Sequence, residues 1–118
     1  MTTDGLDPEA FRHLLDITGG DLEFVDELID TYIDDATVQL AAMREAAANG
    51  DADAMIRPAH SLKSSSANVG ATAVAEASRS LEADGRAGAI DDAVARVADC
   101  ETAFDAAKAA QLAERTTR

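Results

Sequence analysis

Between Leu22 and Ala48 the apolar residues Phe24, Leu28, Ile29, Tyr32, Ala36, Leu40 and Met43 recur at spacings of one, three and four. That is the period of one face of an α-helix, and Val and Ile nowhere alternate with polar residues over a strand's length. A helix this long must bury its stripe against other helices. The rest of the chain is punctuated accordingly. Asp7, Pro8 and Glu9 read as the N-cap, first helical residue and first-turn acid of a short helix that stops at Gly19 and Gly20. Asp21 caps the long helix, and Asn49-Gly50-Asp51 supplies a turn and the next cap. A third helix is expected to about Val69, stopped by Gly70, and a fourth from Ala71 to about Asp84. The fourth carries Val74, Ala77, Ser78 and Leu81 on one side, and "DGRAG" at 84–88 reads as a turn. The last helix is expected from about Ile90 to Glu114, with a frayed "RTTR" end.

Short connections force consecutive helices to run antiparallel. The expected fold is therefore all-α: an up-down-up-down four-helix bundle with a short N-terminal capping helix, forming one domain over residues 1–118. Composition agrees. Alanine supplies 27 of the 118 residues and there is no tryptophan, which favours closely approaching helices over a bulky aromatic core.

The formal net charge of −13 excludes nucleic acid and anionic membrane as natural partners. No apolar run approaches the roughly 18 residues of a membrane span. The acidic N-terminus, "MTTDGLDPEA", does not read as a secretory signal. The one cysteine, Cys100, has no intramolecular partner and is expected as a small, partly buried residue of the last helix. Together these features predict a cytoplasmic protein, and the self-contained bundle predicts a monomer.

Charge is distributed unevenly. The 22 residues from Ala54 to Ala75 contain no Asp or Glu, where the chain average would place about four. On a helical wheel Met55, Ala59, Leu62, Ser66 and Val69 form the core-facing arc of this helix. His60 falls on the opposite side, exposed, with Lys63 and Ser64 one turn on and Ile56 and Arg57 one turn before it. Ala67 follows another turn along, so the His60 face is small and mildly apolar, with two cations near it. By contrast His13 reads as an ordinary surface histidine, and Arg79 as a solvated charge.

A neutral imidazole can attack phosphorus and pass the phosphoryl group on. Such a carrier needs an exposed ring nitrogen, a cation for the phosphate oxygens and small neighbours around which a partner can close. Lys63 supplies a point charge and Ser64 a hydroxyl donor. Ile56, Arg57 and Ala67 would then meet the partner. The chain has no glycine-rich phosphate loop and no HExxH or CxxC spacing, so neither a bound nucleotide nor a metal of its own is expected.

The stretch "AHSLKSSSANVGA" resembles the signature of the histidine-containing phosphotransfer (HPt) domain of two-component phosphorelays. "GDLEFVDELIDTYIDDA" is similar to that family's long second helix, and "SRSLEADGRAGAIDD" to its segment after the signature. The resemblance implies that His60 accepts the phosphoryl group, that Lys63 interacts with it, and that Ser65, Ser66 and Gly70 are the small and turn positions. It also implies a four-helix bundle without enzymatic activity or cofactor of its own. Its partners would be receiver domains of response regulators or hybrid kinases, whose aspartate site brings the Mg²⁺. Two positions depart from the family pattern. Ser64 stands where glycine is common, and Pro58 lies inside the helix, where it removes a backbone bond and is expected to introduce a kink. These departures leave a non-transferring docking bundle as one alternative; the phosphoacceptor domain of a larger chemotaxis-type kinase is another. A kinase dimerisation hairpin fits less well, since Ser61 stands where that class has an acid.

Overall fold

A computed structural model describes residues 8–116 of the chain. Five helices follow in order: α1 (Pro8–Ile17), α2 (Leu22–Asn49), α3 (Ala52–Asn68), α4 (Thr72–Ala87) and α5 (Ala93–Thr116). Among the described residues there is no strand. The contacts α2–α3, α3–α4, α4–α5 and α2–α5 close a ring of four neighbours, and α1 sits against α2 and α3 as a cap. This is the expected antiparallel bundle. Its long dimension, 43 Å in an envelope of 43 × 23 × 20 Å, is set by the 28-residue α2.

Local chemistry explains the boundaries. The Phe24 amide donates to Asp21 Oδ1 at 3.1 Å, and the Ala54 amide donates to Asp51 Oδ1 at 3.1 Å, so both expected caps form. Gly50 adopts φ 63°, a left-handed conformation that lets the Asp51 amide reach back to the Ala46 carbonyl at 2.9 Å. The Asp7 cap lies outside the described residues.

Two boundaries differ from the sequence expectation. The helix continues through Asp84 and Gly85 to Ala87, and Gly88, not the Asp84–Gly85 pair, stops it. Gly85 is there for proximity: a Cβ at this position would lie 3.0 Å from the Ala52 carbonyl oxygen and 3.1 Å from Ile56 Cγ1. The last helix begins at Ala93, while Ile90 is buried ahead of it and anchors the connection.

The core takes Val25, Ile29, Tyr32, Ala36, Leu40 and Met43 from α2. The stripe is rotated slightly from the expected one, because Val25 is fully buried while Phe24 is 46% exposed. On α3 the expected arc of Met55, Ala59, Leu62, Ser66 and Val69 is buried throughout. From α4 come Val74, Ser78 and Leu81, and from α5 Val97, Cys100, Phe104 and Ala107. Cys100 is completely buried, not partly, and its Sγ lies 3.7 Å from Ser78 Oγ. Burial raises its thiol pKa above the ordinary value. Pro58 is buried inside an uninterrupted α3. No described helix is long and apolar enough to cross a membrane.

Candidate functional site

The uncovered face of α3 carries the residues singled out in the sequence. His60, Arg57, Ser64 and Ala67 are exposed, and Ile56 and Lys63 are partly exposed. They share one face, as the helical period requires. An apolar hollow of about 710 Å³ opens beside it, where α1 and α2 meet the end of α3. Leu14, Ile17, Leu28, Tyr32, Ala67 and Val69 contribute to its lining, so Ala67 joins the hollow to the His60 face.

The central acid is not among the residues expected from the sequence. Glu82, from α4, lies beneath the face with its side chain only 8% exposed. Its Oε2 accepts from His60 Nδ1 at 2.9 Å and from Arg86 Nη2 at 2.9 Å. Its Oε1 meets Lys63 Nζ at 2.8 Å. The face is therefore not clear of negative charge, as the acid-free run suggested. The run is acid-free along α3, but the neighbouring helix supplies a carboxylate in space. Two cations and one carboxylate leave the cluster with a net charge of +1 when the imidazole is neutral.

Hydrogen bonds from Lys63 and then Arg86 lower the Glu82 pKa from 4.5 to about 2, against the opposing effect of burial, and the bond from His60 adds to the lowering. An ionised carboxylate can only accept. His60 must then carry its proton on Nδ1, which leaves the Nε2 lone pair for the outside. The side chain of His60 is 56% exposed. Gly85 makes the arrangement possible, because its missing side chain lets α4 approach α3 one turn from Glu82. A signal for Glu82 did exist. It follows the core residue Leu81, lies four residues after buried Ser78, and precedes Arg86 by four. A carboxylate on that inward edge has to be paired.

Other expected residues behave differently. Ser65 Oγ donates to the Leu62 carbonyl at 3.3 Å, and Ser66 Oγ is buried against Tyr32 Oη at 2.8 Å, so both serve the helix and the core. Ser64 sits exposed one turn beyond His60. Among the described residues no group of three or more His, Cys, Asp or Glu side chains is placed to hold a metal ion.

The helical bundle thus holds an outward histidine by one ring nitrogen on a buried carboxylate. The Hpt domain family model matches residues 27–111, and the chain belongs to that family. It is similar to the crystal structure of histidine-containing phosphotransfer protein B (HptB) from Pseudomonas aeruginosa PAO1. That match has a TM-score of 0.88 and 27% identity, and it covers 99% of each chain. No curated protein matches the sequence significantly. Membership assigns the protein to histidine phosphotransfer in two-component phosphorelays, where Hpt proteins are carriers that interact with receiver domains.

Proposed function

We propose that His60 is the residue that carries the phosphoryl group, accepting it from a receiver aspartate and handing it to another. The observation that supports this most is the Nδ1 bond to Glu82, which leaves Nε2 as the exposed nucleophile on a rigid helix. In the loading step the Nε2 lone pair attacks the phosphorus of an acyl phosphate. The P–O bond breaks and the receiver carboxylate leaves. Transfer of this kind depends mainly on positioning and charge, and α3 supplies both.

Lys63 is the phosphate-stabilising residue of this reading, with its ammonium already beside the site on Glu82. Ser64 can turn its hydroxyl toward a phosphate oxygen from the next turn. Ile56, Arg57 and Ala67 form the surface on which the receiver settles, continuous with the apolar hollow through Ala67. Because a receiver brings the acyl phosphate and its Mg²⁺, the carrier needs neither a nucleotide site nor a metal of its own. The carrier acts as a monomer in the cytoplasm, consistent with the free thiol of Cys100.

The test is transfer from a phosphorylated receiver. The wild-type chain should take up an acid-labile, alkali-stable label that His60→Gln abolishes. Undiminished labelling of that variant would refute the assignment.

A further inference from the structure

We propose that Glu82 is a positioning residue that keeps the Nδ1 proton on the phosphorylated ring, so that the phosphoryl group enters and leaves His60 without uptake or release of a proton. The inference rests on His60 as the acceptor and concerns what the neighbouring helix adds to it.

The reacting form of His60 is a neutral imidazole with its proton on Nδ1, donated to Glu82 Oε2 at 2.9 Å. When Nε2 forms its bond to phosphorus, the electron pair of the broken P–O bond goes to the receiver carboxylate. The ring now holds the phosphoryl group on Nε2 and a proton on Nδ1, and therefore a formal positive charge. Onward transfer reverses this: the P–N electron pair returns to Nε2 and a neutral imidazole leaves. If the Nδ1 proton were lost in between, the leaving group would be an imidazolate anion, a far stronger base and a far poorer leaving group. Whatever retains that proton keeps the phosphoryl group transferable.

Glu82 has the position and the charge to retain it. Its side chain is 8% exposed, so solvent competes poorly for the carboxylate. A cationic ring strengthens the bond into a charged pair. Lys63 on Oε1 and Arg86 on Oε2 keep the carboxylate ionised, so the proton stays on the ring and does not pass to Glu82. The charged groups that bear on the ring are Arg57 and Lys63 from α3 and Glu82 and Arg86 from α4. Among the described residues the ring's own hydrogen bond is with Glu82 alone.

The experiment follows transfer from a phosphorylated receiver in weak buffer with a pH-indicator dye, between about pH 8 and about pH 9.5, above the range in which a free imidazole takes up a second proton. Wild-type protein should load with no proton released and with a transfer equilibrium that stays flat across that range. Glu82→Gln keeps a neutral acceptor in nearly the same place. This variant should release a proton on loading at the alkaline end, and its onward transfer there should slow by about tenfold. Proton release by the wild type, or a Glu82→Gln variant indistinguishable from it, overturns the inference while leaving His60 as the carrier. If the variant does not fold, ¹⁵N NMR of wild-type protein loaded with phosphoramidate decides: Nδ1 protonated to about pH 9 supports the inference, and loss near neutrality overturns it. A wild-type chain that takes no label from either donor removes the His60 assignment and this inference together.

Discussion

His60 Nδ1 and Glu82 Oε2 meet at 2.9 Å although 22 positions and a helix boundary separate them. The pair ties the reactive ring to the seam between α3 and α4, so the packing of that seam sets where the nucleophile points. The arrangement has two layers. Leu62 and Ser66 of α3 and Ser78 and Leu81 of α4 are buried inside the bundle, while Glu82 lies at its edge and joins the buried layer to the exposed one.

The Glu82 cluster should be visible in acid. Folding lowers this carboxyl from 4.5 to about 2 through Lys63, Arg86 and His60. Its stabilisation is therefore fully present above about pH 4.5 and is lost as pH falls through about 2. At neutral pH, Glu82→Gln should lower unfolding stability by about 2 kcal/mol, the scale of a few charged hydrogen bonds weakened together. Arg86, largely exposed, contributes less to that figure than the more buried Lys63. Urea titrations of both proteins at several pH values should converge toward the acid end. A gap that stays constant with pH would contradict the ionised cluster.

Gly85→Ala tests the seam directly. Alanine is the better helix former by about 1 kcal/mol, so an unconstrained interior position would gain stability. Here the added Cβ would press on the Ala52 carbonyl at 3.0 Å and on Ile56 Cγ1 at 3.1 Å. Overpacking of this kind costs about 1–3 kcal/mol. The expected outcome is a lower melting temperature and slower phosphotransfer, because α4 cannot recede without carrying Glu82 away from His60. Differential scanning calorimetry and the transfer assay measure the two effects separately.

What was readable in the sequence follows from distance along the chain. The bundle and the outward His60 face depend on the period of single helices and on caps within a few residues, such as Asp21 and Asp51. The expected α3 arc appears intact because one helix's wheel suffices to define it. Glu82 depends on which helix lies against which, and at what register, and a wheel carries no such information. The misplaced turn at Asp84–Gly85 has the same origin. A glycine that usually punctuates a helix is retained inside one here because a neighbouring backbone passes close.

The buried Tyr32–Ser66 pair should couple energetically. Tyr32 Oη and Ser66 Oγ lie 2.8 Å apart, and burial pushes the Tyr32 pKa up to about 12. Tyr32→Phe leaves a buried serine hydroxyl without that partner and should cost about 1–2 kcal/mol. The double variant Tyr32→Phe, Ser66→Ala should cost less than the two single changes added together, with a coupling of about 1 kcal/mol. Strict additivity in chemical denaturation would show that the hydroxyls do not act as a pair.

Pro58 poses the last test, because two effects oppose each other at one buried position. The residue has no amide hydrogen for the Ala54 carbonyl, and an interior proline is about 3 kcal/mol less favourable than alanine in a helix. Its ring also helps line a cleft between α2 and α3 with Ala42, Ala46 and Ala54. Alanine there would lose about 1–2 kcal/mol of apolar burial. The larger effect should win, so Pro58→Ala is expected to stabilise the protein by about 1 kcal/mol in urea unfolding. Phosphotransfer should be nearly unchanged, since Glu82 and Lys63 hold the His60 end of the helix independently of that bond. A stabilised variant with impaired transfer would instead show that proline sets the direction in which His60 is presented.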